Sequence, residues 1–134
     1  MKFQLSANSL KKLEGAHPDL VKVCHEAIKR TAVDFGITCG VRTQAEQGKL
    51  YAQGRTTPGP KVTWTLDSRH RTGHAVDVVA YIDGKVSWEE APYTQIANAF
   101  LEAAASLKIP LVWGGNFSKP DRPHFELNRN FYKE

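Results

Sequence analysis

Five histidines (His17, His25, His70, His74 and His124) are the side chains of this sequence best suited to metal binding or proton transfer. Two of them share one segment with a carboxylate, Ser68-Arg69-His70-Arg71-Thr72-Gly73-His74-Ala75-Val76-Asp77. Asp77 interrupts the apolar run Ala75-Val76-x-Val78-Val79-Ala80, where an uncompensated charge is costly to bury. A metal cation would compensate it. So would an ion pair with Arg42 or Arg71, or a backbone cap, and the segment alone leaves these alternatives open.

A second segment, Asp121-Arg122-Pro123-His124-Phe125-Glu126-Leu127, adds a histidine and an aspartate three residues ahead of it. Zinc in hydrolytic sites takes three protein ligands and keeps one position for water. His70, Asp77 and His124 would supply such a set from two neighbouring elements. The water also needs a base that is close but not itself a ligand, and Asp121 is suited to that role. Arg42 is the candidate for stabilising charge on a tetrahedral intermediate. Glu126 alternates with His124 and either orients a ligand or is a surface charge. The helical pattern His-Glu-x-x-His is absent, because His25-Glu26 runs into Ala27-Ile28-Lys29. His70 and His74 are four apart, but Gly73 and the strand-like run after them argue against a helix. His74 is therefore assigned a supporting or surface role.

These side chains must be positioned by short elements. Ser6 and Ser9 can cap a first helix that carries Leu10 and Leu13 on one face and stops at Gly15. Pro18-Asp19 opens a second helix, whose Leu20, Val23/Cys24 and Ala27/Ile28 recur at helical spacing. Cys24 is then a small core residue and His25 a surface one. Phe35, Ile37, Cys39 and Val41 predict a strand to about Arg42. The capping box Thr43-Gln44-Ala45-Glu46 turns the chain into a helix ending near Gly54, so Arg42 stands at a strand-to-helix corner.

Arg55 to Asp67 reads as a long loop, of the kind that is often functional. Ala75 to Ile82 reads as a buried strand, and Asp83-Gly84 as a hairpin turn. Tyr93, Ile96, Ala97, Phe100, Leu101, Ala104 and Leu107 mark an amphipathic helix stopped before Pro110. Leu111-Val112-Trp113 and His124-Phe125-Glu126-Leu127 are closing strands around a Gly114-Gly115 loop. The expected class is α+β, helices packed on a small, largely antiparallel sheet.

Composition narrows the class further. The sequence has 134 residues, with 18 Lys+Arg against 14 Asp+Glu for a net charge of +4, and 41% hydrophobic residues, which suits one soluble domain over residues 1–134. Two cysteines exclude a disulfide scaffold. No signal-peptide run and no membrane-length apolar stretch is evident. The basic residues are dispersed, the densest groups being Lys11-Lys12, Lys29-Arg30 and Arg69 with Arg71. Most of this charge is a solvated surface, although it admits an anionic partner. No recognisable RNP, helix-turn-helix or zinc-finger pattern supports nucleic acid as that partner.

Taken together, Ser68-x-His70-x-x-Gly73-x-Ala75-x-Asp77 followed by Asp121-x-x-His124-x-Glu126-Leu127 resembles the M15 zinc peptidases. The Gly40-Val41-Arg42-Thr43 corner with Gln47, Leu50-Tyr51-Ala52-Gln53-Gly54-Arg55-Thr56, Pro58-Gly59 and Trp113-Gly114-Gly115 resemble the L-alanyl-D-glutamate endopeptidase branch. That branch includes phage endolysins and bacterial wall hydrolases. The likeness extends from about Val21 to Leu127. It implies a Hedgehog/DD-peptidase-like domain with one catalytic Zn2+ held by His70, Asp77 and His124. It also implies Asp121 as base, Arg42 polarising the scissile carbonyl, and Ser68 supporting the site by hydrogen bonding.

The implied reaction is hydrolysis of the L-Ala–D-Glu bond of the peptidoglycan stem peptide by metal-activated water, lysing a host cell. Arg55, Lys61, Arg69 and Arg71 could hold the carboxylates of the wall peptide. Tyr51, Trp64 and Trp113 could line the cleft, although packing is the commoner fate of a lone tryptophan. The alternative is a D-Ala–D-Ala carboxypeptidase or dipeptidase with the same metal site. A wall-binding module without catalysis is disfavoured by the filled motif set. The implied protein is a monomer without membrane insertion, nucleic-acid partner or separate wall-binding domain. It would be held in the host cytoplasm until a holin-type lesion releases it to the wall.

Overall fold

Five strands and three α-helices carry the described part of the chain, residues 3–40, 52–53, 72–117 and 120–132 of a computed structural model. The first helix, α1 (Ala7–Lys12), is capped by Ser6, whose Oγ accepts from the Ser9 amide at 3.1 Å. Ser9 is not a second cap. It is buried inside the helix, and its Oγ accepts the Ile37 amide of the first strand at 2.9 Å. Leu13 is buried as expected, but Leu10 faces outward, because one helical turn against a strand edge buries a narrow stripe.

Helix α2 (Pro18–Arg30) starts where Pro18 predicts, and His17 caps it, its Nδ1 accepting the Asp19 amide at 3.1 Å. Leu20, Val23, Cys24, Ala27 and Ile28 form its buried face, and His25 is exposed. Burial pushes the Cys24 thiol up to about 12, so it behaves as a small apolar side chain.

Strand β1 (Asp34–Cys39) pairs antiparallel with β2 (Ala75–Ile82). The predicted continuation of β1 to Arg42 lies outside the described residues. So do the helix expected from Thr43, except at 52–53, and the loop from Arg55 to Asp67. β2 has the predicted bounds. Asp83 and Gly84 turn it into β3 (Lys85–Ser87) with positive φ at both positions, the twist that a tight hairpin requires. Helix α3 (Glu90–Leu107) ends on Lys108 in the left-handed region, two residues before Pro110. The chain closes through β4 (Leu111–Trp113), a 3-10 turn (Gly114–Asn116) and β5 (His124–Leu127).

The sheet order is β1-β2-β5-β4, with β3 also pairing β2, and every described pairing is antiparallel. β5 and β3 share one edge of β2, and β1 occupies the other. Val76, Val78, Phe125 and Leu127 join the buried faces of α2 and α3 in one core. Phe125 stacks on Phe100 of α3 with ring centroids 4.0 Å apart. Side chains alternate along a strand, so Asp77, His124 and Glu126 turn to the face away from that core.

Ser9→Ala would leave the Ile37 amide without its partner in a buried setting. It should destabilise the protein by about 1–3 kcal/mol, read as a lowered urea midpoint at unchanged slope.

Candidate metal centre

β2 and β5 pair so that Asp77 lies directly opposite His124, with Cys39 of β1 opposite Asp77 on its other edge. Asp77 is thus a mid-sheet residue. The β1 ladder is irregular between Ile37 and Cys39, beside it, a distortion common next to functional sites. The Asp77 side chain keeps 21% exposure, so it is not sealed in. Its Oδ1 lies 3.1 Å from His124 Nδ1.

His124 is buried, and its other ring nitrogen, Nε2, lies 3.0 Å from Glu126 Oε1. Burial alone would raise the Glu126 carboxyl. Hydrogen bonds from His124 and Arg129, and the charges of both, outweigh burial and hold it below the usual carboxylate value. Glu126 is therefore ionised near neutral pH and acts as an acceptor, so Nε2 carries the proton. Arg129 Nε donates to the second Glu126 oxygen at 3.1 Å.

This arrangement gives Asp77 a partner among the described residues. With Nε2–H donated to Glu126, Nδ1 is the ring nitrogen that faces the carboxylate of Asp77. At 3.1 Å the two are bridged by a proton on Nδ1 or, in its place, by a metal ion. Asp121 joins from the β4–β5 connection: one ligand atom each from Asp77, Asp121 and His124 lie within 4.8 Å of one another. One imidazole nitrogen and two carboxylate oxygens suit a divalent cation, and Glu126 holds the imidazole as outer carboxylates do in metal centres.

Asp121 does not lie on a strand. Its amide donates to Gly114 O at 2.9 Å, and its own carbonyl accepts the His124 amide at 3.1 Å. A Cβ at Gly114 would collide with the Asp121 carbonyl and come within 2.9 Å of His124 Cβ. Only glycine lets the connection close over the site here.

Of the residues nominated from sequence, Asp77, Asp121, His124 and Glu126 come together. His70, Arg42, Ser68 and Gln47 lie outside the described residues, as do Arg55, Lys61, Arg69, Arg71, Tyr51 and Trp64. His74 is not at the surface. It is buried beside His17, with Nδ1 2.6 Å from Thr72 Oγ1, because it precedes β2 where the chain passes the start of α2. Trp113 packs its ring against the core. Arg129 went unnoticed in the sequence, although a basic residue three positions past Glu126 is a legible partner signal.

An antiparallel sheet that presents a histidine and two aspartates as a possible metal-binding cluster defines a small α+β protein with a candidate metal centre. Comparison with known proteins narrows the class. The sequence model of the phage L-alanyl-D-glutamate peptidase family matches residues 1–134, and the chain belongs to that family. It is 32% identical over 133 residues to the L-alanyl-D-glutamate peptidase of Escherichia phage T5, covering 98% of this chain and 94% of the relative. It is 35% identical over 125 residues to the peptidoglycan L-alanyl-D-glutamate endopeptidase CwlK of Bacillus subtilis, covering 85% of this chain and 74% of CwlK. The crystal structure of the Serratia marcescens L-Ala D-Glu endopeptidase ChiX superposes with a TM-score of 0.84 at 41% identity, covering 95% of this chain and 92% of ChiX.

Glu126→Ala removes the acceptor that holds His124 in one tautomer. Zinc affinity, measured by competition with a chromogenic chelator, should fall about 10- to 100-fold while the fold persists.

Proposed function

We propose that this protein is a zinc-dependent peptidoglycan endopeptidase of the endolysin type, cutting the L-Ala–D-Glu amide bond of the stem peptide. The observation that carries this reading is the meeting of Asp77, Asp121 and His124 in a chain of this peptidase family. In this reading the domain has the Hedgehog/DD-peptidase fold. His70, Asp77 and His124 hold one zinc ion, and Asp121 serves proton transfer. Zinc supplies Lewis acidity, which makes a water molecule nucleophilic at neutral pH.

The carboxylate of Asp121 takes the proton from the attacking water and hands it to the amine as the C–N bond breaks. Arg42 donates to the oxygen that gains charge at the scissile carbonyl, with Ser68 and Gln47 supporting the site. Glu126, itself fixed by Arg129, keeps the His124 ring from turning. The free carboxylates of the stem peptide complement the surplus of four positive charges. The proposed setting is a host cytoplasm, followed by release to the wall. Among the described residues no helix is long and apolar enough to cross a membrane.

Digestion of purified murein followed by mass spectrometry tests the scissile bond. New N-terminal D-Glu is expected, abolished by chelation and restored by zinc. Released D-Ala would instead assign a carboxypeptidase to the same centre.

The roles within the site separate by metal content. Asp121→Ala should retain zinc and lose turnover by two orders of magnitude or more, about the size of a general-base contribution. His70→Ala should lose both zinc and turnover. Full activity in Asp121→Ala would remove the base assignment.

A further inference from the structure

Asp121 lies on an irregular connection, so no strand ladder sets the height of its carboxylate above Asp77 and His124. Its backbone is tied to Gly114 and His124, and the residues that follow it carry further contacts. At its C-terminal end the connection is tied by the Pro123 carbonyl, which accepts the Val78 amide at 2.9 Å. That bond fixes where β5 begins. The Arg122 side chain reaches Glu90, in the first turn of α3, at 2.9 Å. Both partners of this ion pair are well exposed, and such pairs hold position weakly.

A further tie is different in kind. Trp113, the last residue of β4, donates from its indole Nε1 to the Arg122 carbonyl at 2.7 Å. Its ring packs against the hydrophobic core, and its backbone pairs with Phe125, the residue stacked on Phe100. A side chain packed against the hydrophobic core thus ends on the Arg122–Pro123 peptide, one residue past Asp121. Gly115 lies flat against the same ring: a Cβ there would press on the Cε2, Cζ2 and Cη2 atoms of Trp113. The glycine leaves the indole room to take this orientation.

We propose that Trp113 is a positioning residue: its indole N–H, seated against Gly115, holds the Arg122 carbonyl and thereby sets the Asp121 carboxylate over the Asp77–His124 pair. This rests on the reading of Asp121 as the base. A general base misplaced by about 1 Å can cost on the order of 100-fold in rate, whereas substrate grip is set by other groups.

Two variants approach the strut from opposite sides. Trp113→Phe keeps a ring in the core and removes the donor. Gly115→Ala keeps the donor and displaces the ring. Both should lower kcat about 10- to 100-fold on a stem-peptide substrate with KM nearly unchanged. Zinc affinity should stay close to that of the parent protein. In the metal-free protein, amide hydrogen exchange at Asp121 and His124 should accelerate about tenfold or more, while exchange at Val76 and Phe125 keeps the parent rate.

Exchange that rises equally at all four amides would reduce Trp113 to a contributor to global stability and overturn the proposal. So would kcat within about twofold of the parent in both variants, since a positioning role predicts a larger loss. If the parent protein fails to cleave the stem peptide, the proposed activity falls. The exchange pattern in the metal-free protein still decides whether Trp113 positions Asp121.

Discussion

The register between β2 and β5 is the constraint on which the centre depends. Val76 opposite Phe125 and Asp77 opposite His124 are consecutive rungs of one ladder. The first rung feeds the core, and the second carries the chemistry on the other face. A slip of one residue would exchange them, turning Phe125 outward and His124 into the packing between sheet and helices. The hydrophobic core therefore holds the register of Asp77 and His124. The stacking of Phe125 on Phe100 is part of what makes the slip costly.

Beyond that register the centre is an electrostatic problem. Asp77, Asp121 and Glu126 bring three carboxylates around a single buried histidine, which an apolar sheet face could not tolerate without positive charge. Arg129 answers for Glu126 from outside. His124 is bridged to carboxylates at both ring nitrogens, and this fixes its orientation. Asp77, Asp121 and His124 form a group that could hold a metal ion. The disturbed β1 ladder beside Asp77 and the obligatory glycine at 114 are local departures from regular structure at this one place, where the backbone accommodates the site.

Much of the architecture was legible in the residues. The run Ala75–Ile82, the Asp83-Gly84 turn, the α2 stripe from Leu20 to Ile28 and the short closing strands all appear where periodicity and turn chemistry put them. The departures are long-range. Ser9 reads locally as a capping residue, yet it serves the Ile37 amide 28 positions away. His74 reads as peripheral, yet it is buried because the start of α2 covers it. Trp113 packs its ring against the core, the commoner fate of a lone tryptophan, and only the structure puts its N–H on the connection that carries Asp121. None of these partners lies within the span over which spacing carries information.

The sequence by itself determined the chemical inventory and the local elements. A carboxylate inside an apolar strand and a His-x-Glu pair three residues after an aspartate mark a metal-type site, because residue type and period-two alternation are local properties. Only the tertiary structure decided that Asp77 and His124 share a rung, that Glu126 lies within hydrogen-bond reach of Nε2, and that Arg129 and Trp113 reach the two sides of the centre. Those facts depend on the strand register and on how the β4–β5 connection folds back. Both are settled by burial of the common core, and no segment of the chain carries that information alone.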